Sequence, residues 1–304
     1  MISKFRIGAL VIILNFFASV AMIWGQDNPS LLQMAVPSLN IAPDARGGGM
    51  GDMGAATLPD INSQYWNAAK YAFMGSKAGV SLSYTPWLRK LVNDVALVNM
   101  TGYYKLGNSD LQAISASLRY FSLGEVNIWE NIGDVPYGLN PYEMAFDVAY
   151  SRKLSESYSM AVTLRYIRSD MGTDQNDESN AGNAFSADIS GYLEKYVLMG
   201  NAEALWSFGF NLSNIGSKIS YDGGNTNQYL PAKLTLGTGL LYPIDDYNQI
   251  GVYLDLNKYM VPYAPQKEEG ETDADYQTRV DDYKSWSSLS GMLKSFTDSP
   301  NGLL

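Results

Sequence analysis

Residues 113–122 read AISASLRYFS, and the fold class turns on them. Ile114, Ala116, Leu118 and Tyr120 alternate with Ser115, Ser117 and Arg119. A period of two marks a β-strand with unlike faces. In a sandwich in water the apolar face points inward. In a membrane barrel it points outward into lipid, and small polar residues line the interior.

The pattern recurs along the chain. Met144, Phe146, Val148 and Tyr150 alternate with Ala145, Asp147, Ala149 and Ser151. Tyr158 to Tyr166 repeats it against Ser159, Ala161, Thr163 and Arg165. Further copies occupy 204–212, 234–242 and 250–256, with weaker ones at 79–85, 94–105 and 184–196. This predicts about nine strands of roughly 8–13 residues. The non-apolar faces are mostly Ser, Gly, Ala and Thr, whereas a sheet face in water carries long charged side chains. Tyr158 and Tyr166 bracket one apolar face, and eight residues at ~3.3 Å with ~40° tilt cover about 20 Å, near the height of a barrel's apolar band. Links alternate in length: 106–110, 154–157 and 243–248 are short, 123–142, 168–183 and 213–231 are long, and 196–203 is intermediate. Membrane barrels keep this parity, with short periplasmic turns and long outer loops. The expected fold is therefore an all-β transmembrane antiparallel barrel.

Composition narrows the chemistry. The 304 residues include no Cys and no His. That removes disulfides, thiol and imidazole nucleophiles, the usual zinc ligands and any Ser-His arrangement. No cofactor or metal is expected, and no enzyme activity. Charged residues are 17%, with 22 Tyr and 28 Gly, a mix that suits strands and tight turns. Lys4 and Arg6 precede an apolar run from Ile7 to Trp24, which reads as a signal peptide over 1–25 cleaved after Ala21 or Gly25. Its removal takes two cations and no acid, so the net charge falls from −10 to −12. Nucleic acid is not an expected partner of so acidic a chain. Three regions are expected: the signal peptide, an N-terminal plug over 26–77, and the barrel over 78–304. Nine strands leave two open edges, which lipid does not tolerate. Either the barrel closes with another chain or further C-terminal strands lie beyond this sequence, and the second is the expectation.

Within the plug, Gly49, Gly51 and Gly54 have G-x-G-x-x-G spacing, but no strand precedes them and Pro59 follows. A dinucleotide site is not expected. Gly47, Gly48, Gly49, Gly51 and Gly54 instead predict compact backbone turns. The inward charges Arg119, Asp147, Arg165, Asp188 and Asp255 are expected to pair across the lumen and hold the plug. Asp174, Asp177, Glu178, Glu268, Glu269 and Glu271 mark candidate partner-contact outer loops. Clustered carboxylates also suit Ca²⁺, and a solvated loop is the plainer alternative.

The blocks ARGGGMGDMGAATLPDINSQYWNAAKYAF, SLSYTPWLRKLVNDV, SLRYFSLGEV and LRYIRSDM resemble the PorV family, outer-membrane barrels of type IX secretion within the FadL-like group. The similarity runs from about residue 35 to the end of the sequence. Ala68 of Asn67-Ala68-Ala69 stands where that family usually has Pro, which implies a looser turn. The resemblance implies a barrel of about fourteen strands in the bacterial outer membrane. It implies a docking and shuttle role as well. The protein would receive cargo carrying a C-terminal signal domain from the translocon barrel (SprA/Sov) and deliver it to PorU-type attachment machinery. The alternative, by analogy with FadL, is transport of hydrophobic small molecules.

Overall fold

The computed structural model describes residues 32–297 except 88, 91–93, 108–110, 129–134, 173–180, 201, 225 and 269. The proposed signal peptide, Asp174, Asp177, Glu178 and Glu269 lie outside the described residues. Nine long strands form one antiparallel sheet: β1 (Ala78–Pro86), β2 (Val95–Leu106), β3 (Gln112–Leu123), β6 (Tyr142–Lys153), β7 (Tyr158–Asp170), β8 (Gly182–Met199), β9 (Ala202–Gly216), β10 (Lys233–Pro243) and β11 (Gln249–Tyr259). Each pairs with its neighbour in that order, and β1 does not pair with β11, so the sheet is not closed. A short hairpin, β4 (Val126–Ile128) with β5 (Tyr137–Leu139), sits in the link between β3 and β6. After β11 come helices Asp273–Ser285 and Ser288–Lys294. Among the described residues no helix is long and apolar enough to cross a membrane.

The alternation divides the sheet as the sequence pattern predicts. Leu82 is 71% exposed, Leu164 67% and Val252 68%, and Phe146, Phe185 and Phe208 share their face. On the opposite face Ser117, Arg119, Ala145, Asp147, Ala149, Ala161, Thr163 and Arg165 are buried. An apolar face this continuous is a membrane or protein contact surface, not a water-facing one. The short-link ends turn tightly. Gly107 and Gly200 have φ of +67°, a conformation open mainly to glycine. Between β10 and β11 the Asp245 carboxylate accepts the backbone N–H groups of Tyr247 and Asn248, both at 2.8 Å. The expected intermediate link at 196–203 is instead shorter, because β8 runs to Met199 and β9 starts at Ala202, both past the alternating stretch.

The buried face curves around residues 32–77. Ser83 on β1 bonds the Pro43 carbonyl, and Asp255 on β11 accepts from Gly54, so both edge strands reach one segment. The core is correspondingly built from both: Tyr71, Ala68 and Ala69 pack with Tyr103, Ala113, Ala149, Ala161 and Tyr192. A second cluster joins Val36 and Leu39 to Ala145, Ile167, Ala184, Ile219 and Leu230 near the long-link end. Small strand residues leave the volume that this segment fills.

Candidate functional site

Residues 32–77 contain only short helical turns, so most of their backbone groups have no regular partner. Buried backbone must be paired. Strand side chains supply the partners. Arg119 donates to the carbonyl of Ser38 at 2.7 Å and also to that of Ile41. Ser159 donates to Ala69 O at 2.7 Å, Ser207 to Ala56 O at 2.7 Å, Asn211 to Trp66 O at 3.0 Å and Lys105 to Met74 O at 2.7 Å. Glu143 accepts the Ser38 N–H at 3.0 Å. One carboxylate oxygen of Asp255 accepts the N–H groups of Gly54 and Ala55 at 2.8 and 3.0 Å.

The charges on β6, β7 and β8 form a single network. Arg165 grips Asp188 through both terminal nitrogens at 3.0 and 2.8 Å and reaches Asp147 through Nε at 3.3 Å. Asp147 also accepts from Ser117 at 3.0 Å and from the Gln64 amide of the inner segment. A β-bulge between β8 and β9 completes it. Asn214, at φ +59°, leaves the ladder and donates its N–H to Asp188 at 2.8 Å. Its side chain accepts from Arg165 at 2.6 Å and donates to Pro231 O at 3.0 Å. Arg119, Asp147, Arg165, Asp188 and Asp255 thus all lie on the inner face. Arg165, Asp147 and Asp188 meet one another, while Arg119 and Asp255 bind inner-segment backbone instead.

The glycines divide by physical role. Gly51 has φ +79°, a true conformational demand. Gly47 and Gly54 flank the Trp66 indole, and a Cβ on either would lie 2.3 or 2.2 Å from its ring. Trp66 Nε1 donates to Asp44 at 2.7 Å, and Asp44 caps the turn at Gly47 at 2.8 Å. Gly48 and Gly49 meet no such limit. Two strand glycines allow a closer approach: a Cβ on Gly209 would sit 1.9 Å from Ala55 O, and one on Gly237 2.9 Å from Ala55 Cβ.

Residues with no periodic signal also hold the segment. Asn67 is fully buried and donates to Ala55 O and Gly191 O at 2.8 and 2.9 Å, while its Oδ1 accepts from Ala69 N–H at 3.1 Å. These bonds hold the turn in which Ala68 stands. Lys70 is fully buried and donates to Gly54 O at 2.8 Å and Thr57 Oγ1 at 3.1 Å. Burial pushes its ammonium down to about 8, with Asp60 opposing the shift. A polar residue inside a small-residue, turn-rich stretch was the available signal for both.

Among the described residues a cavity of about 30 Å³ lies between the inner segment and the strands, room for roughly one or two waters. Asp147, Arg165, Asn211 and Asp255 border it. Arg119 Nε, Asn211 Oδ1 and Asp255 Oδ1 face no protein partner there, so the space suits solvent, not hydrocarbon.

At the long-link end, Glu268 and Glu271 lie just before helix Asp273–Ser285. Arg279 forks onto Glu271 at 2.8 and 2.7 Å and lies 3.4 Å from Glu268. Part of that acidic stretch is therefore already paired. Among the described residues no Asp or Glu cluster is arranged to hold a metal ion.

No curated protein matches the chain. The family model for type IX secretion system protein PorV matches residues 25–267, most of the sequence. The helices after residue 267 lie beyond that match, which ends short of the full extent expected from the sequence blocks. The matched stretch takes in the inner segment and all nine long strands. The chain belongs to the PorV family and is a component of the type IX secretion system.

Proposed function

We propose that this protein sits in the outer membrane and works by docking. Its outer loops take up the C-terminal signal domain of secreted cargo at the translocon barrel (SprA/Sov) and pass it to PorU-type attachment machinery. The supporting observation is the filled interior. Residues 32–77 occupy the buried face, and the cavity of about 30 Å³ left beside them among the described residues admits no polypeptide. Cargo contact therefore falls to the outside of the molecule, where loops on a rigid sheet are suited to recognition. The apolar outer face supplies the surface that meets lipid and the translocon wall. The polar lining counts against transport of hydrophobic small molecules, which requires a greasy interior pocket.

Deleting the gene is the test. Cargo should accumulate unprocessed in the periplasm, and the intact gene should restore surface display. Normal display in the deletion strain would refute the docking role. Affinity capture from detergent-solubilised outer membranes should recover the translocon barrel or signal-domain cargo. Recovery of the protein alone with bound fatty acid would favour transport.

A further inference from the structure

The outer face carries an aromatic rim at its long-link end, and the rim is incomplete. Tyr84 on β1, Tyr120 on β3, Tyr142 on β6, Tyr166 on β7 and Phe185 on β8 project there. Tyr120 stacks on Tyr142 at 5.4 Å, and Tyr166 lies 5.3 Å from Phe185. Barrels place such girdles at the membrane interface, where an aromatic ring is apolar on its body and polar at its edge. The corresponding ends of β9, β10 and β11 offer Leu212, Leu234 and Lys258, none of them aromatic.

The C-terminal helical segment fills that gap. Met292 is buried with Ala232 and Met260, and Leu212, Ile215, Leu234 and Phe296 pack on that cluster. Lys258 lies over the Phe296 ring at 5.3 Å, and Lys294 over the Trp286 ring at 3.5 Å. Met292 thus points at the sheet, yet Leu289 and Leu293 of the same helix are 63% and 72% exposed. They stand four residues apart, so they share one helix face. Exposed leucines beside Trp and Lys at the margin of an apolar wall make an interfacial surface, not a water-facing one.

We infer that Trp286–Phe296 is a membrane-interface anchor: Leu289 and Leu293 enter the acyl-chain boundary, and Lys258 and Lys294 meet anionic lipid headgroups. The occupant is lipid because the exposed leucines continue the apolar face of β10 and β11, where Leu236, Leu254 and Leu256 are also exposed. The two lysines supply the charge that anionic headgroups complement. This inference rests on the membrane reading above, but not on the docking role.

The chain has no cysteine, so one introduced cysteine takes one nitroxide label. Leu289→Cys, Leu293→Cys, Leu254→Cys and Asp282→Cys are each reconstituted in phosphatidylcholine vesicles with and without phosphatidylglycerol. Relaxation by oxygen reports hydrocarbon, and relaxation by a water-soluble nickel chelate reports water. Labels at 289 and 293 should follow the lipid-facing strand label at 254, while 282 reads as water. Charge reversal by K258E and K294E together should shift 289 and 293 toward water only in vesicles containing phosphatidylglycerol. Labels at 289 and 293 that match 282, while 254 stays in lipid, overturn the anchor alone. No effect of charge reversal overturns the headgroup contact. A label at 254 that also reads water overturns the membrane reading with it.

Discussion

Two arginines make nearly the same fork. Arg165 holds Asp188 at 3.0 and 2.8 Å, and Arg279 holds Glu271 at 2.8 and 2.7 Å. The first pair is sealed between sheet and inner segment, with side chains 7% and 4% exposed. The second lies on the rim, where Arg279 is 40% exposed. Geometry is matched, so environment decides what each does. In the interior there is room for only one or two waters to replace a lost partner, and polarity there fixes an irregular segment in place. At the rim, water competes for every bond, and the same chemistry leaves the surface free to rearrange against a partner.

Breaking the interior fork has the largest expected effect. Arg165→Met leaves Asp147 and Asp188 buried without their cation, and losing one member of such a network costs about 3–5 kcal/mol. Urea unfolding in detergent micelles should show it. Adding Asp147→Asn and Asp188→Asn to the same chain should recover much of the loss, because the uncompensated charge is then gone. If the single and triple variants unfold alike, the charges are not what the interior depends on.

Lys70 sharpens the same contrast through pH. Its ordinary value of 10.5 falls to about 8 in the folded protein. Below pH 8 the proton is bound in both folded and unfolded chains, and the full burial penalty is present. Between about 8 and 10.5 only the unfolded chain keeps it, so stability rises with pH across that window by roughly 3 kcal/mol. Lys70→Met should flatten this rise relative to the parent protein. An identical pH dependence in the two proteins would show that Lys70 is not sealed.

Close packing gives a smaller effect. Gly209→Ala places a methyl 1.9 Å from Ala55 O and displaces the carbonyl that Asn67 holds at 2.8 Å. Overpacking of this kind costs about 1–3 kcal/mol. Protease cleavage within 44–60 should quicken with it. Gly48→Ala, whose nearest contact is 3.9 Å, should leave both stability and cleavage unchanged.

The sequence makes one side of this contrast legible and hides the other. Nine strands follow from outward residues such as Phe146, Leu164 and Phe208, because alternation on the exposed apolar face is dense. Parity then places Arg119, Asp147, Arg165, Asp188 and Asp255 on the inner face without any structure. Boundaries fail where alternation is not the cause of pairing. The β8–β9 pairing extends to Met199 and Ala202, β9 runs on through the Asn214 bulge, and the three-residue strands β4 and β5 are too short to show a period. The inner segment has no periodicity at all. Asn67, Gln64, Lys70 and Trp66 act through contacts with residues up to 145 positions away, as between Asn211 and Trp66, and nothing local announces them. Nor does the sequence reveal that Arg279 already engages Glu268 and Glu271.

That last pairing provides the smallest effect and the sharpest limit on the comparison. Arg279→Ala removes a two-nitrogen fork as well formed as the one at Arg165, so bond geometry alone would predict equal damage. Both carboxylates remain in contact with water, however, and helix Asp273–Ser285 buries no residue. It keeps its N-terminal cap, with Thr272 accepting the Asp275 N–H at 3.2 Å. The melting midpoint in micelles should therefore stay at the parent value, at low salt and at high salt alike. Freed of Arg279, Glu268 and Glu271 add negative charge to the rim, so a cationic partner should associate faster at low ionic strength and lose that gain as salt is raised. A drop in midpoint approaching that of Arg165→Met would mean that the rim segment is packed as the interior is, and the division between a fixed inside and an adaptable edge would fail.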